Sequence, residues 1–328
     1  MKIAQLGEFG FISRLRRQCP PGPGVRLGIG DDCAALEIPP GELLLTTTDL
    51  LLEQVHFRRE WTDWHRLGRK SVAVNVSDIA AMGGTPRYLF LALALPADLE
   101  VTALDAFIDG FLAAAADYGA SLAGGDTCRS PGPLLISVTA EGSVPAGELV
   151  GRSGARPGDA IYVSGTLGDS ALALRQLLAG EAPEAFLAER HHNPSARTGL
   201  GRALAAARLA TAMVDLSDGL VADLGHLLTA SGVGGRVATA SLPLSPAFRA
   251  ALAAEPALLE LALAGGEDYE LLFTVPPERA AELPPLAAQL GLALTRVGEL
   301  TSGPGLVLVD AQRQERTPGR GGFDHFAG

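Results

Sequence analysis

Residues 28–49 read GIGDDCAALEIPPGELLLTTTD: paired carboxylates, then a short apolar run that ends in three threonines and a further carboxylate. Leu43, Leu44 and Leu45 predict a buried strand, with Thr46, Thr47, Thr48 and Asp49 gathered at its end. Adjacent Asp31 and Asp32 repel each other unless solvent, hydrogen bonds or a cation offset the charge. A hard divalent cation takes this kind of oxygen-rich surrounding. Taken alone, the stretch fits an acidic surface loop equally well, and the acidic clusters further along the chain decide between the two.

The glycines here do not make a nucleotide fingerprint of the usual kinds. G-I-G-D-D-C lacks the third glycine of a dinucleotide site, and G-R-K-S at 68–71 lacks the glycines of a Walker A loop. A nucleotide must therefore be cradled in another way.

Upstream, residues 5–17 predict an opening helix with Leu6, Phe9, Ile12 and Leu15 on one face, followed by a turn-rich connector at 19–26. Downstream of Asp49, His56 either meets an anionic substrate or is a satisfied structural histidine. Residues 64–81 predict a helix, carrying Lys70, Asn75 and Asp78, that ends at the M-G-G-T-P turn. A strand at 88–95 and a helix at 98–118 follow. The pattern then runs into SLAGGDTCRS, where Gly124 and Gly125 read as a turn presenting Asp126 and Arg129. LLISVTAEG at 134–142 is a further strand.

The stretch 143–158 changes charge repeatedly and is rich in turns, so we place a domain boundary there and split the chain into 1–148 and 149–328. Arg152 and Arg156 in it face polyphosphate or solvent. The second half repeats α/β patterns: a strand at 161–163, helices at 169–179 and 196–211, and a strand that reaches Asp215. Ser217 and Asp218 occupy the turn before a helix, with Ser217 a candidate cap and Asp223 expected to face solvent. A strand-to-helix junction of this kind brings backbone donors and carboxylates together. His191 and His192 are adjacent, without the spacing of helical metal ligands, and read as a surface turn. Residues 247–263 predict a helix, GGEDYEL a turn with Glu267 and Asp268 beside a strand, and 321–326 a glycine-rich tail.

Composition narrows the class. At 328 residues with 47% hydrophobic content, the chain is long enough for two packed domains. A formal charge of −11 argues against broad binding to nucleic acid or anionic membrane. Cys19, Cys33 and Cys128 form neither a metal motif nor a disulfide framework, which fits a reducing compartment. The N-terminal stretch lacks a signal-peptide core, and the apolar run at 89–96 is too short to span a bilayer. A cytoplasmic protein is expected.

GIGDD, TTTD with a following H-F, VNVSDIAAMGG, GGDT, VDLSDG and GGEDYEL occur in this order over nearly the whole chain. In that combination the sequence resembles the bacterial thiamine-monophosphate kinases, within the aminoimidazole-ribonucleotide-synthetase-like superfamily. The resemblance implies an α/β fold of α+β type, two domains whose mixed or antiparallel sheets are covered by helices, and a homodimer formed through the first-domain sheets. It implies phosphorylation of thiamine monophosphate to thiamine diphosphate, with ATP as donor and several Mg²⁺ ions. It places Asp32, Asp49, Asp78 and Asp126 around metal and phosphate, with Thr47 and Thr48 nearby. Asp215, Ser217 and Asp218 correspond to a second metal and ATP cluster, Gly125 and Arg152 to the nucleotide side, and His56, Glu267 and Phe323 to the acceptor side. Phe323 departs from the bulkier aromatic usual there: it keeps a stacking face and lacks a polar handle. An acceptor phosphate is already largely ionised near neutral pH, with a second pKa of roughly 6, so direct in-line attack on ATP is expected without a side-chain nucleophile.

Overall fold

The computed structural model describes residues 1–29, 33–319 and 322. The chain divides into two compact units, Met1–Ile79 with Gly84–Gly147, and Ala80–Gly83 with Glu148–Gly328.

The first unit opens with helices α1 (Ile3–Leu6) and α2 (Glu8–Gln18). The sequence predicts one helix here. Gly7, at φ 72°, breaks it in two, and Phe11 and Leu15 are the buried side chains of α2. A small ribbon of β1 (Val25–Leu27) and β2 (Ala35–Leu36) leads into β3 (Glu42–Leu52), α3 (Trp64–Ala81), β4 (Thr85–Pro96), α4 (Val101–Asp117), β5 (Ser121–Ser130) and β6 (Leu135–Pro145). The four long strands make one mixed sheet in the order β3-β6-β4-β5, antiparallel except for the β4–β5 pair.

Two expectations are corrected here. Thr46 to Asp49 lie in the middle of β3 rather than at its end, because the whole strand pairs with β6 from Glu42–Pro145 to Leu52–Leu135. SLAGGDTCRS is an edge strand rather than a turn: its glycines sit beside a register shift against β4, and pairing with that strand overrides their turn propensity.

The register sorts side chains by face. Leu51, Ile136 and Leu93 share a row, as do Asp49, Val138 and Leu91, and Thr47, Ala140 and Leu89. The apolar members of these rows are buried, and this is the core face. The alternate row of Leu50, Ser137, Ala92 and Asp126 belongs to the other, more open face. Helices α3 and α4 cross at two glycines. A Cβ on Gly68 would lie 2.0 Å from the Phe107 carbonyl oxygen, and one on Gly110 would lie 1.9 Å from that of His65. Only residues without side chains allow the two backbones this close.

The second unit contains β7 (Ala160–Ser164), α5 (Asp169–Leu178), α6 (Ala185–His192), α7 (Thr198–Ala206), β8 (Ala212–Asp215), α8 (Leu220–Ser231), β9 (Gly234–Ala238), α9 (Pro246–Ala254), α10 (Leu259–Ala264), β10 (Leu271–Val275), α11 (Leu283–Leu290), β11 (Leu294–Thr301), β12 (Gly305–Val309) and β13 (Glu315–Arg316). Among the described residues these strands form one sheet, ordered β13-β12-β9-β11-β7-β10-β8 and mostly antiparallel. Strand β10, paired between β7 and the edge strand β8, is buried on both faces. Leu272 packs with Val163, Val214, Leu224 and Phe248, whereas Phe273 and Val275 pack with Met213, Leu204 and Leu283. Apolar layers on both faces explain why LLFTV is continuously hydrophobic instead of alternating. The single helix expected over 247–263 is interrupted at Pro256, which starts a short 3-10 turn between α9 and α10. The expected α/β architecture with a mixed sheet is thus present.

Candidate active site

In the first unit the centre of the site is the pairing of β3 with the nearby turns of α3. Side chains two apart on a strand point the same way, so Thr47 and Asp49 share the core face. The Thr47 hydroxyl donates to Asp78 Oδ2 at 2.5 Å. The Asp49 backbone N–H donates to Asn75 Oδ1 at 3.0 Å, and the Asn75 amide in turn donates to the Ser71 carbonyl. This anchoring sets the Asp78 carboxylate beside the Thr47 hydroxyl and ties the Asp49 backbone to α3, with the Asp49 side chain on the same face of β3 as Thr47. All are hard oxygen donors, a set that suits Mg²⁺ rather than a thiophilic metal. Asn75, buried in α3, carries a role the sequence reading did not assign, although its place one helical turn before Asp78 was legible.

Thr48 points to the opposite face, where its hydroxyl donates to the Val138 carbonyl and accepts from Thr139. Asp126 stands on β5, the far edge of the same sheet, in register with Ala92, and its Oδ1 accepts from the Thr127 N–H. Three strand spacings, about 14 Å, separate β3 from β5. The structure therefore does not bring Asp126 to Asp49 within one sheet. Gly125, next to Asp126, has φ 152°, and a Cβ there would fall 1.9 Å from the Leu91 carbonyl oxygen, so the β4–β5 approach requires glycine. A cavity of about 430 Å³ lies along this edge, lined by Phe11, Phe90, Gly125 and Asp126 among others.

His56 follows β3. Its Nδ1 lies 3.0 Å from the Leu52 N–H and accepts from it, which places the ring proton of the neutral imidazole on Nε2 and makes that nitrogen a donor. Asp32 and Phe323 lie outside the described residues.

In the second unit two motifs are stitched together. Asp215 ends β8 and is buried; Ser217 and Asp218 form the turn before α8. Leu216 N–H donates to the Glu270 carbonyl, Glu267 N–H to that of Ser217 and Tyr269 N–H to that of Leu216, at 2.8–2.9 Å. VDLSDG and GGEDYEL thus run side by side. Ser217 does not cap α8; Gly219 occupies that position.

Asp223 corrects the sequence reading most clearly. It is buried, with one carboxylate oxygen accepting from the N–H groups of Asp218 and Gly219 at 3.1 and 3.0 Å. Burial pushes its carboxyl up to about 7 and the Asp218 charge adds to the rise, against these hydrogen bonds and the charge of Arg152. Its spacing from Asp218 was the available signal: a carboxylate in the first turn of a helix reaches back to the amide groups that open it. Arg152 itself is exposed, and its carbonyl accepts from Ser231.

His191 and His192 are a second correction. Both are buried at the end of α6, their rings edge to face. The neighbouring Arg190 donates to Glu270 and to the Asp268 carbonyl, both at 2.8 Å, and Arg197 and Ser164 also donate to Glu270. Asp268 accepts from the Gly168 N–H, and burial drives its carboxyl well above the ordinary range. Long-range contacts of this kind leave no local periodicity, so HHNP reads as a surface turn from sequence.

Residues 30–144 match the family model "AIR synthase related protein, N-terminal domain", and residues 156–311 match "AIR synthase related protein, C-terminal domain". A curated thiamine-monophosphate kinase of Escherichia coli K12 is 43% identical, over 98% of both chains. The chain belongs to the thiamine-monophosphate kinase family. A crystal structure of thiamine-monophosphate kinase from Stenotrophomonas maltophilia K279a is 42% identical, covers 94% of this chain and 97% of its own, and superposes with a TM-score of 0.84. A further structure, "AaThiL complexed with AMPPCP and TMP", is 37% identical over 99% of both chains, with a TM-score of 0.77. Among the described residues of this thiamine-monophosphate kinase family member, no helix is long and apolar enough to cross a membrane.

Proposed function

We infer that this chain phosphorylates thiamine monophosphate to thiamine diphosphate, with ATP as phosphoryl donor. The observation that carries the reading is identity of 43% to a thiamine-monophosphate kinase along 98% of both chains. The likeness to a structure complexed with AMPPCP and TMP supports it.

The terminal phosphate of the acceptor is its own nucleophile, because it is substantially ionised at neutral pH, with a second pKa of roughly 6. It attacks the γ-phosphorus of ATP in line, ADP leaves, and no phosphoenzyme forms. The protein's work is positioning and charge control. Asp32, Thr47, Thr48, Asp49, Asp78 and Asp126, with Asp215 and Asp218 of the second unit, are the residues that would hold Mg²⁺ ions. Bound there, Mg²⁺ neutralises the negative charge that two phosphorylated substrates bring together. The Thr47 hydroxyl holds the Asp78 carboxylate, and the Asn75 side-chain oxygen holds the Asp49 backbone N–H against α3. Gly125, Asp126, Arg152 and Ser217 attend the nucleotide. His56 donates from Nε2 toward the acceptor, Glu267 meets its thiamine end, and Phe323 stacks on its rings.

The functional unit is a homodimer joined through the first-unit sheets. Edge strand β3 exposes Leu43, Leu44 and Leu50, and an uncovered apolar edge calls for a partner. With Asp49 and Asp126 on opposite edges, one sheet cannot clamp a single ion with both. A second copy in two-fold symmetry covers the apolar β3 edge. The cytoplasm, which supplies ATP and keeps thiols reduced, suits the free Cys19, Cys33 and Cys128.

Purified protein with ATP, Mg²⁺ and thiamine monophosphate is expected to release ADP and thiamine diphosphate in equal amounts. Free thiamine competes as acceptor in the same assay. Preference for free thiamine, or ADP release that ignores the acceptor, refutes the assignment.

A further inference from the structure

Glu267 and Tyr269 have φ angles of 64° and 50°, the left-handed region that residues with side chains rarely adopt. Such a backbone persists only where its surroundings over-determine it. From one side the loop is tied to the Ser217 carbonyl through the Glu267 N–H. From the other, the last turn of α6 holds it. Arg190 donates to the Asp268 carbonyl, one residue beyond Glu267, and the next residue, His191, turns its ring to the Glu267 side chain.

His191 Nδ1 lies 3.4 Å from Glu267 Oε2 and 2.9 Å from Ser170 Oγ. The ring is 3% exposed, whereas the Glu267 side chain keeps 24% of its surface open. With a carboxylate and a hydroxyl oxygen both facing Nδ1, the arrangement is satisfied when the ring proton resides there and is donated between them. Ser170 is itself buried in α5, so the imidazole is braced against a packed helix and presents its N–H to the carboxylate from behind. The exposed part of the Glu267 side chain is the part within reach of a ligand.

We propose that His191 is a positioning residue for Glu267, fixing the direction in which that carboxylate meets the thiamine end of the acceptor. The inference rests on the assignment of Glu267 to the acceptor side. Thiamine carries a permanent positive charge and an aromatic amine, and a carboxylate held in one rotamer recognises both better than one free to swing. His191 acts on binding of the acceptor and has no part in binding of the nucleotide.

The test is steady-state kinetics of the full-length protein, with each substrate varied at saturating levels of the other and at fixed Mg²⁺. Variants are His191→Ala, His191→Asn, Glu267→Ala and the double variant, each checked for its melting temperature. His191→Ala is expected to raise KM for thiamine monophosphate roughly tenfold, the scale of a hydrogen bond to a charged group, with KM for ATP unchanged. His191→Asn, whose amide nitrogen can stand where Nδ1 stands, recovers most of that loss. In the Glu267→Ala background, removing the imidazole has no further effect on KM for the acceptor. Equal changes in both KM values, additive effects in the double variant, or no rescue by asparagine overturns the proposal while leaving Glu267 in place. An unchanged acceptor KM in Glu267→Ala overturns the proposal and the assignment beneath it. Should His191→Ala fail to fold, His191→Asn and Ser170→Ala decide: near-normal acceptor KM in the first and a raised one in the second support the bracing, and the reverse refutes it.

Discussion

Replacing Glu270 by glutamine tests the buried charge cluster of the second unit at its centre. The Glu270 carboxylate is fully buried and accepts from Arg190 at 2.8 Å, Arg197 Nε at 2.6 Å and Ser164 at 2.6 Å. Glutamine keeps the shape, removes the charge, and turns an amide donor toward a wall of donors. Two guanidinium groups, one of them deeply buried, then lose their counter-charge. Breaking a buried ion pair from one side costs about 3–5 kcal/mol, a large part of the 5–15 kcal/mol by which domains are typically stable. At about 2–4 °C per kcal/mol for a unit of this size, the melting temperature should fall by about 6–20 °C. Scanning calorimetry and urea titration measure both quantities. Replacing Glu270, Arg190 and Arg197 together by apolar residues of similar volume should recover part of the loss, because the two guanidinium charges leave with their carboxylate. A loss below about 1 kcal/mol in Glu270→Gln would show that the arginines do not depend on this carboxylate and would refute the reasoning.

Three further outcomes follow from the geometry. Gly110→Ala places a methyl 1.9 Å from the His65 carbonyl oxygen, and should destabilise the first unit by about 1–3 kcal/mol in urea titration. Asp223 has its carboxyl raised to about 7 from the ordinary 3.8; above 3.8 the unfolded chain ionises this group while the folded one keeps it protonated, so stability declines as pH rises from about 3.8 to 7. The difference corresponds to about 4 kcal/mol. Asp223→Asn keeps an oxygen acceptor without the charge, so in EDTA it should gain on the unsubstituted protein between pH 4 and 8; parallel pH profiles would contradict this. Asp49→Asn should raise the Mg²⁺ concentration needed for half-maximal turnover, measured by titrating Mg²⁺ at saturating substrates. An unchanged Mg²⁺ dependence in the folded variant would reject Asp49 as a ligand.

How much of this was legible in the sequence depended on the range of the interaction. Residues 64–81 read as a helix and form α3, because apolar periodicity and the glycine turn after it are local signals. Residues 269–275 read as a strand for the same reason, and β10 covers Leu271–Val275 of them. The same local logic failed at SLAGGDTCRS, where a glycine pair imitates a turn and only pairing with β4 reveals a strand. At His191 a polar residue in a polar stretch gave no sign of burial, and at Asp223 the spacing from Asp218 was the signal; partners at Ser170 and Glu267 for one, and the amides of Asp218 and Gly219 for the other, determine the placement. Among the proposed cation ligands, Thr47 and Asp78 meet within one unit, with Asp49 on the same face of β3 as Thr47. Strand alternation turned Thr48 away, and sheet order carried Asp126 to the far edge, two effects that motif order does not encode.

The crossing of α3 and α4 at Gly68 and Gly110 has a bearing on ion choice. With main chain pressed against main chain, α3 cannot roll about its axis without driving one carbonyl into the other helix. Asp78 and Asn75 ride on that axis, so their reach toward β3 is set by a stiff strut. A stiff frame tolerates little change in ionic radius, and Mg²⁺ and Ca²⁺ differ by a few tenths of an ångström in their bonds to oxygen. The larger ion should therefore seat poorly in the first unit and slow turnover as a competitor, and widening the strut at these glycines should blunt the discrimination.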